Sequence, residues 1–329
     1  MKLKIGIIGY RNHAQRLIKL ISKNKDCELK AIYHPNKKLD HELSTNNIDD
    51  LFECGAVLIC SPNQTHFNYI LTLLDNFDGY IFCEKPPVCC LAHIETLLKL
   101  KNKDKCRTYF NYNFRFSHLN NIINDFYYLQ KIEKIQYINI FQGHGLAFKN
   151  DYLNSWRSDK RQNPHSITET VAIHYVDLLQ LNYGEATEAF YAPSIAANTG
   201  SSFDTVHISL KFKKIVASIF TSYACPFVND VTIIGTNGII KISEDHLYLF
   251  YPRDTLDKNG YFITPPLIES KAINTKEDYM NSLSKSLDFF ISHAYNGNNI
   301  DIKHFNIGLA SNKYLLEIQK NHNITITGN

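Results

Sequence analysis

The sequence predicts a two-domain α/β protein, in which an N-terminal doubly wound parallel sheet precedes an α+β domain with a large, mostly antiparallel open sheet. The length of 329 residues suits two domains. In residues 3–112, apolar runs alternate with helical patterns, as in a parallel sheet with crossover helices. In residues 186–251, strand-like segments follow one another without helices, which predicts antiparallel pairing. We place the first domain at 1–117 and the second at 118–329.

Composition and charge argue against several classes of protein. The chain is 44% hydrophobic and 20% charged, and its net charge of +3 is spread without a basic stripe, so we expect no nucleic-acid partner. No run reaches the roughly twenty apolar residues of a membrane span. The strand that starts at Leu3 leaves no room for a secretory signal, so we expect a cytoplasmic protein. The eight cysteines and fourteen histidines are dispersed, which indicates reduced thiols and no metal site.

The first strand and helix have the context of a dinucleotide-binding (Rossmann) fingerprint. Strand Leu3–Gly9 runs through a turn into helix Ala14–Ile21. Aligned on Gly9, the pattern G-x-G-x-x-G has Arg11 at its second glycine and Ala14 at its third. Helix N-terminal amides could still bind phosphate, with Arg11 adding charge, and a plain turn without a ligand is the alternative. The candidate cofactor residues here are Gly9, Tyr10, Arg11, Asn12 and His13.

The end of the second strand bears on the choice between NAD and NADP. Strand Cys27–Tyr33 lacks the terminal acid that would bind the ribose hydroxyls of NAD, and His34 and the Lys37-Lys38 pair follow it. A lysine could meet a 2′-phosphate, so His34 and Lys37 favour NADP. The alternative is a solvated basic turn.

The strand Tyr80–Phe82 ends in Cys83-Glu84-Lys85-Pro86-Pro87. Proline has no backbone N–H, so the strand cannot continue through Pro86. Lys85 is therefore expected at the carboxyl edge of the sheet, where open α/β folds bind ligands. Its ammonium could bind a substrate hydroxyl and stabilise a developing oxyanion. The alternative is a solvated lysine paired with Glu84.

The second half predicts helix His118–Gln130, strand Ile132–Phe141 and helix Ser166–Leu181. The last of these helices carries His174, whose ordinary pKa of about 6.5 suits a general base near neutrality; a structural histidine is the alternative. Further strands and helices are predicted at Ala186–Ala192, Thr205–Phe212, Ile215–Ser222, Asp230–Ile234, Gly238–Ile242, His246–Tyr251, Asp278–Ala294 and Phe305–Gln319.

Three motifs in the first domain occur together: Ser61-Pro-Asn-x-Thr-His66, Cys83-Glu-Lys-Pro86 and Asn111-Tyr-Asn-Phe-Arg115-Phe. With these motifs in this order, the chain resembles the glucose–fructose oxidoreductase, inositol dehydrogenase and rhizopine-catabolism (Gfo/Idh/MocA) family. The resemblance implies that Lys85 assists proton transfer from a sugar hydroxyl beside the nicotinamide. It also implies that the cofactor cleft includes Ser61, Pro62, Asn63, His66, Glu84, Lys85 and Asn113. Arg115 is implied as a substrate residue, with an ion pair at the domain interface as the alternative.

The resemblance extends into the second half. Trp156-Arg157 resembles a loop that faces the substrate, and Arg157 could bind a carboxylate or phosphate through its planar fork; a structural ion pair is the alternative. The family pattern Asp-x-x-x-His-x-x-Asp keeps His174 and Asp177 here, but has threonine at its first acid. The implied substrate residues are Arg115, Trp156, Arg157, His165, Thr170 and His174, with Lys85 and His174 as the catalytic pair.

These features predict an enzyme that transfers a hydride between NAD or NADP and a sugar, sugar derivative or cyclitol. We expect a homodimer or homotetramer formed through the C-terminal sheet. Two alternatives stay open. The first is a family member that binds sugar or nucleotide without redox chemistry. It is compatible with Arg11, with the missing acid after strand two and with Thr170. A tightly bound nicotinamide could instead serve a transient oxidation during elimination or epimerisation.

Overall fold

The computed structural model describes residues 2–253, 256–321 and 323–325. The strands, in chain order, are β1 (Leu3–Ile8), β2 (Cys27–Tyr33), β3 (Ser44–Thr45), β4 (Ala56–Ile59), β5 (Tyr80–Glu84), β6 (Thr108–Asn111), β7 (Ile135–Gly143), β8 (Glu188–Ser194), β9 (Thr205–Lys211), β10 (Val216–Ser222), β11 (Val228–Gly235), β12 (Ile239–Ser243), β13 (His246–Phe250), β14 (Leu267–Ala272) and β15 (Asn323–Thr325). The α-helices are α1 (Asn12–Ile21), α2 (His66–Asn76), α3 (Leu91–Leu98), α4 (Asn102–Lys105), α5 (His118–Asn124), α6 (Phe126–Ile132), α7 (Asn150–Leu153), α8 (Ile173–Tyr183), α9 (Thr275–Asn296) and α10 (Ile302–Asn321).

The chain divides into two compact units. The first contains the described residues up to Arg115 together with Asn281–Leu316, and the second contains Phe116–Met280 and the described residues from Glu317 onward. The sequence assigned all of 118–329 to one domain, whereas 281–316 belongs with the first unit. This difference follows from long-range packing, which sequence patterns do not reveal.

The first unit is built on a parallel sheet with the strand order β3-β2-β1-β4-β5-β6. The order reverses direction at β1, so the carboxyl ends of β1 and β4 lie side by side and create the crevice at which such sheets bind ligands. All four residues of β4 and of β6 are buried, as expected for strands covered on both faces. The predicted doubly wound parallel sheet is confirmed.

Helices α9 and α10 complete the first unit through contacts with β5 and β6. Within the unit, the Phe82 ring packs on Phe290 with centroids 5.3 Å apart, and Phe110 packs on Phe305 at 4.8 Å. The Tyr109 hydroxyl lies 2.8 Å from Ser286 Oγ. Burial of large aromatic side chains is strongly stabilising, which explains why residues 281–316 fold with the parallel sheet.

The second unit is built on a nine-stranded sheet with the order β14-β13-β12-β11-β7-β10-β9-β8-β15. Neighbouring strands are antiparallel except β7 and β10, which are parallel, so the predicted mostly antiparallel sheet is confirmed. The sequence did not predict β14 or β15. Along β10 the side chains alternate: Ala217 and Ile219 are fully buried, while Ser218 and Phe220 are half-buried on the opposite face.

Two helices differ from the sequence prediction. The predicted helix His118–Gln130 is two helices, α5 and α6, because the Asp125 carboxylate accepts a hydrogen bond from the Tyr127 N–H and caps a new helix start. The predicted helix Ser166–Leu181 begins with a π-helical turn at Thr168–Ala172 before α8 continues to Tyr183. Such turns are frequent at functional sites.

Candidate functional site

The turn after β1 is shaped by close backbone approach. Gly9 has φ +99°, and a Cβ added there would lie 2.8 Å from the Cys60 carbonyl oxygen. Only glycine fits without displacing the end of β4. Helix α1 begins at Asn12 and has no acidic residue in its first turn. Its N-terminal amides, together with the macrodipole, therefore form a place where a pyrophosphate fits.

Arg11 occupies the second fingerprint position without strain. It is the N-cap of α1 with φ −81°, a conformation open to any residue, and its side chain is exposed. Ala14, in the first turn of helix α1, is fully buried. The Tyr10 ring contacts the His41 ring edge-on with centroids 5.8 Å apart. The altered fingerprint thus keeps the shape of the turn and adds an exposed positive charge beside it.

The segment after β2 lies along the same edge of the sheet. The His34 N–H donates to the Thr45 carbonyl at 3.0 Å, and the His34 Nδ1 accepts from the Asn36 N–H at 3.3 Å. Lys37 is exposed. This turn therefore presents a lysine at the place where the sequence predicted contact with a 2′-phosphate.

Glu84, the last residue of β5, anchors a buried polar network. Its Oε1 lies 2.6 Å from His13 Nε2 and accepts from Asn111 Nδ2 at 2.7 Å. The Asn111 side-chain oxygen Oδ1 in turn accepts from Ser286 Oγ at 2.7 Å. Burial raises the pKa of Glu84, but His13, Asn111 and Lys85 outweigh it and hold that pKa below its usual value. Glu84 is therefore an ionised carboxylate near neutrality.

Lys85 follows β5 directly and is half-buried at the carboxyl edge of the sheet. The chain beyond it is fixed by His66, which is fully buried. His66 Nδ1 lies 2.8 Å from the Pro86 carbonyl oxygen, and Nε2 lies 2.9 Å from the Ser61 carbonyl oxygen. Burial lowers the pKa of His66. His66 thus links two loops through their backbones rather than presenting its ring at the surface.

The Thr65 side chain also holds the loop after β4. The Thr65 hydroxyl lies 2.6 Å from Ser61 Oγ and 2.7 Å from the Pro62 carbonyl oxygen. Pro62 is exposed and Asn63 is half-buried in a short 3₁₀ turn. The predicted cofactor-loop residues therefore form one ordered turn beside the Gly9 turn.

Asn113 and Arg115 are almost completely buried within the first unit. Asn113 Nδ2 donates to Ser282 Oγ at 2.8 Å. Arg115 donates from Nη1 to the His304 carbonyl oxygen at 3.2 Å, and its guanidinium lies over the Tyr112 ring. Burial, followed by the Arg115 charge, lowers the pKa of His304 to about 4. These contacts bury the Arg115 side chain within its own unit.

In the second unit, Tyr223 brings several predicted substrate residues together. Its hydroxyl is hydrogen-bonded to the Thr170 hydroxyl. Burial raises the pKa of Tyr223, and the nearby Arg157 charge opposes this rise. The Arg157 guanidinium lies 4.7 Å above the Trp156 ring centre, a cation–π contact. Tyr223 stacks on His144 with centroids 5.3 Å apart. The sequence analysis missed Tyr223 and His144, because each follows a strand and resembles a core residue.

The predicted base His174 is buried in the first turn of α8, with 4% of its surface exposed. Asp177, three residues further along the helix, is fully buried. His165 Nδ1 is 2.8 Å from the Tyr191 hydroxyl, which also lies 3.0 Å from the Thr168 hydroxyl. His165 is thus held to β8 through Tyr191.

A pocket of about 610 Å³ opens beside the Tyr223 cluster within the second unit. Its lining residues are His144, Gly145, Leu146, Phe148, Lys149, Cys225 and Pro226. The volume suits a small organic ligand. Among the residues that the structure describes, no group of three or more His, Cys, Asp or Glu side chains could hold a metal ion. No helix in the described part of the chain is long and apolar enough to cross a membrane.

The fold and the βα turn define a class of protein: an NAD-binding Rossmann domain joined to an α+β domain with an open sheet. Residues 3–112 match the model of the oxidoreductase family with an NAD-binding Rossmann fold, GFO_IDH_MocA, and residues 130–241 match the GFO/IDH/MocA C-terminal domain. The chain belongs to the Gfo/Idh/MocA family of oxidoreductases. The resemblance stated from the sequence is confirmed.

Solved structures share this fold at low identity. An oxidoreductase from Agrobacterium radiobacter in complex with NAD+, L-tartaric acid and magnesium has a TM-score of 0.78 at 15% identity, covering 99% of this chain and 98% of the other. A myo-inositol dehydrogenase from Corynebacterium glutamicum has a TM-score of 0.74 at 17% identity, covering 100% of both chains. A myo-inositol 2-dehydrogenase from Lactobacillus plantarum has a TM-score of 0.76 at 16% identity, covering 99% and 100%. A search of curated proteins matches none.

Proposed function

We propose that this oxidoreductase transfers a hydride between a nicotinamide cofactor and a C–OH or C=O group of a sugar, sugar derivative or cyclitol. The observation that carries the proposal is the position of Lys85. It directly follows the ionised Glu84 at the carboxyl edge of the parallel sheet, on a segment fixed by His66. Family membership and the inositol dehydrogenases of the same fold support the substrate class.

The turn residues fit a dinucleotide. The Gly9 turn and the first turn of α1 would hold the pyrophosphate, with Arg11 adding positive charge. The Ser61–Asn63 loop lies at the adjacent strand end. Lys37 favours NADP over NAD, because an ammonium can pair with a 2′-phosphate. Replacing Lys37 with alanine should weaken NADPH binding and leave NADH binding unchanged; equal effects on both would contradict this preference.

In this mechanism the Lys85 ammonium donates a hydrogen bond to the substrate hydroxyl oxygen and stabilises its developing negative charge. His174 accepts the hydroxyl proton as general base. When bound, the nicotinamide would supply the two-electron hydride acceptor for oxidation of the alcohol to a carbonyl or, in reverse, the hydride donor. Asn111 and His13 help to keep the neighbouring Glu84 ionised.

The open face of the nine-stranded sheet supports a homo-oligomer. Phe141 and Val216 lie on the adjacent strands β7 and β10, Phe190 lies on β8, and these side chains are 42%, 37% and 46% exposed. Large exposed apolar side chains on one sheet favour contact with a second copy of the chain. We propose a homodimer or homotetramer that uses this face.

The decisive test replaces Lys85 with alanine and compares pre-steady-state hydride transfer with wild type on a panel of sugars and inositols. We expect a loss of at least about 100-fold with NADH binding retained. Lys99→Ala, at an exposed lysine of the same unit, should behave like wild type. Wild-type transfer by Lys85→Ala would refute this mechanism.

Two further measurements separate the alternatives. If reduced nicotinamides cause no change in protein fluorescence and no stabilisation, the chain binds ligand without redox chemistry. If substrate is converted with no net change of a bound nicotinamide over a full turnover, the reaction is an elimination or epimerisation.

A further inference from the structure

Arg157 is a half-buried cation without a carboxylate partner in the described part of the chain. Its guanidinium lies over the Trp156 ring, and its charge acts on the nearby Tyr223 hydroxyl and His144 ring. Arg161, four residues away, is 84% exposed and forms a two-pronged ion pair with Asp159, with nitrogen–oxygen distances of 3.0 and 2.9 Å. A guanidinium shielded from water and left unpaired by the protein is suited to pair with an anion from outside.

The side chains around Tyr223 give Arg157 no ion pair in the described part of the chain. Thr170 presents a hydroxyl to Tyr223, where the family pattern resembled by this sequence has an acid. The nearby Asp204 is buried, and its oxygens accept hydrogen bonds from the Ala196 and Ala197 N–H groups and from the Thr205 hydroxyl. Asp204 is therefore engaged by these groups rather than by Arg157.

The residues that line the adjacent pocket also favour an anion over a cation. His144 and Lys149 line it, and none of its lining residues is acidic. The charge of Arg157 reaches this pocket, because burial and then Arg157 lower the pKa of His144. Leu146, Phe148 and Pro226 supply apolar walls, so a charged ligand there would be partly desolvated, which strengthens its pairing with a cation.

We propose that Arg157 is an anion-binding subsite and that the substrate is an acidic sugar, carrying a carboxylate or phosphate group. The claim that the substrate is a sugar rests on the proposed function. The claim that it carries an anionic group rests on Arg157 alone. The planar guanidinium, which lies over the Trp156 ring and near the Tyr223 hydroxyl, offers its N–H groups to two anionic oxygens. Trp156 and Tyr223 act by positioning Arg157.

The test measures binding to the full-length chain by calorimetry without cofactor, using D-glucuronate, D-glucose 6-phosphate and neutral D-glucose. Hydrogen bonds to charged groups contribute roughly 1.5–3 kcal/mol, so at least one acidic sugar should bind about 10- to 100-fold more tightly than glucose. Preference for glucuronate alone assigns a carboxylate, and preference for glucose 6-phosphate alone assigns a phosphate. If neither acidic sugar binds more tightly than glucose, the proposal is wrong.

Variants localise the effect. Arg157→Leu should abolish the preference for the acidic sugar, Arg157→Lys should keep part of it, and the matched control Arg161→Leu should keep all of it. An undiminished preference in Arg157→Leu would overturn the proposal, and so would an equal loss in Arg161→Leu. Binding of NADH, followed separately by fluorescence, tests the proposed function. An enzyme that binds NADH and prefers neutral sugars refutes the subsite alone, whereas acid preference without NADH binding refutes the redox function alone.

Discussion

His13 Nε2 lies 2.6 Å from Glu84 Oε1, so the first turn of helix α1 is tied directly to the residue that precedes Lys85. The sequence predicted both as cofactor residues, but nothing in the sequence shows that they touch. The contact couples the glycine turn of β1 to the end of β5, two strands away in the sheet. A displacement of either loop is therefore expected to affect the other.

Replacing Glu84 with glutamine should destabilise the protein by about 1–3 kcal/mol near neutrality, because hydrogen bonds to a buried charged group are stronger than those to a neutral amide. The folded pKa of Glu84 lies below the ordinary value of 4.5. Its stabilisation is therefore complete above that ordinary value and is lost as the pH falls through the folded pKa. Urea unfolding near neutrality and at about pH 3 measures the difference, which should shrink in acid.

The control for this prediction is Glu188→Gln. Glu188 pairs with Lys211 at 2.6 Å, but both side chains are about half exposed. Because exposed ion pairs contribute about 0–1 kcal/mol, this variant should unfold much like wild type at both pH values. A Glu84→Gln deficit that stays constant down to acid pH would contradict the proposed role of the ionised carboxylate.

Gly9→Ala tests the shape of the cofactor turn. The added methyl group would meet the Cys60 carbonyl, and the positive φ is unfavourable for alanine, so we expect about 1–3 kcal/mol of destabilisation and roughly tenfold weaker NADH binding. Gly297→Ala is the matched control, since Gly297 has φ +66° but no atom within 4 Å of the added Cβ. It should lose stability without losing NADH affinity. Equal NADH binding in all three proteins would show that this turn does not hold the cofactor.

Much of the fold could be predicted because local patterns determine it. Strand Cys27–Tyr33 was predicted with its observed bounds, since its apolar residues end at turn-forming residues. The parallel pairing of β7 with β10 could not be predicted, because the two strands are far apart in sequence and either direction buries the same face. The break at Asp125 was missed because an apolar helical pattern continues on both sides of the capping residue.

Candidate site residues could be predicted where a motif lies within one stretch of sequence, as for Glu84-Lys85 and Trp156-Arg157. Tyr223 follows β10 and contacts a π-helical turn more than fifty residues earlier, so only the folded chain brings its hydroxyl to Thr170. Burial could not be predicted in the same way: the resemblance implies Arg115 as a substrate residue, and the structure packs its side chain against His304.

His66→Phe tests whether a buried side chain positions Lys85. Phenylalanine keeps a planar ring but removes both nitrogens, leaving the Ser61 and Pro86 carbonyl oxygens without their partner. We expect a loss of about 1–3 kcal/mol in stability and roughly tenfold in kcat, with the KM for sugar little changed. His93→Phe is the control, since His93 stacks on Phe67 at 3.7 Å and phenylalanine can keep that contact. A fall in stability with kcat unchanged would give His66 a structural role only.

Tyr223 and Tyr152 form a matched pair for testing the Arg157 cluster. Their rings pack edge-to-face 6.1 Å apart, and each hydroxyl is buried. The Tyr223 hydroxyl bonds Thr170 and lies close to the Arg157 charge, whereas the Tyr152 hydroxyl has no hydrogen-bond partner among the described residues. Tyr223→Phe should therefore lower the free energy of unfolding by about 1–2 kcal/mol, and Tyr152→Phe should be neutral or slightly stabilising, because it removes an unsatisfied polar group.

Urea unfolding measures the stability of both variants. Calorimetry with the preferred acidic sugar should show several-fold weaker binding only for Tyr223→Phe. Equal stability and equal sugar affinity in the two variants would mean that the Tyr223 hydroxyl does not hold Arg157 in place.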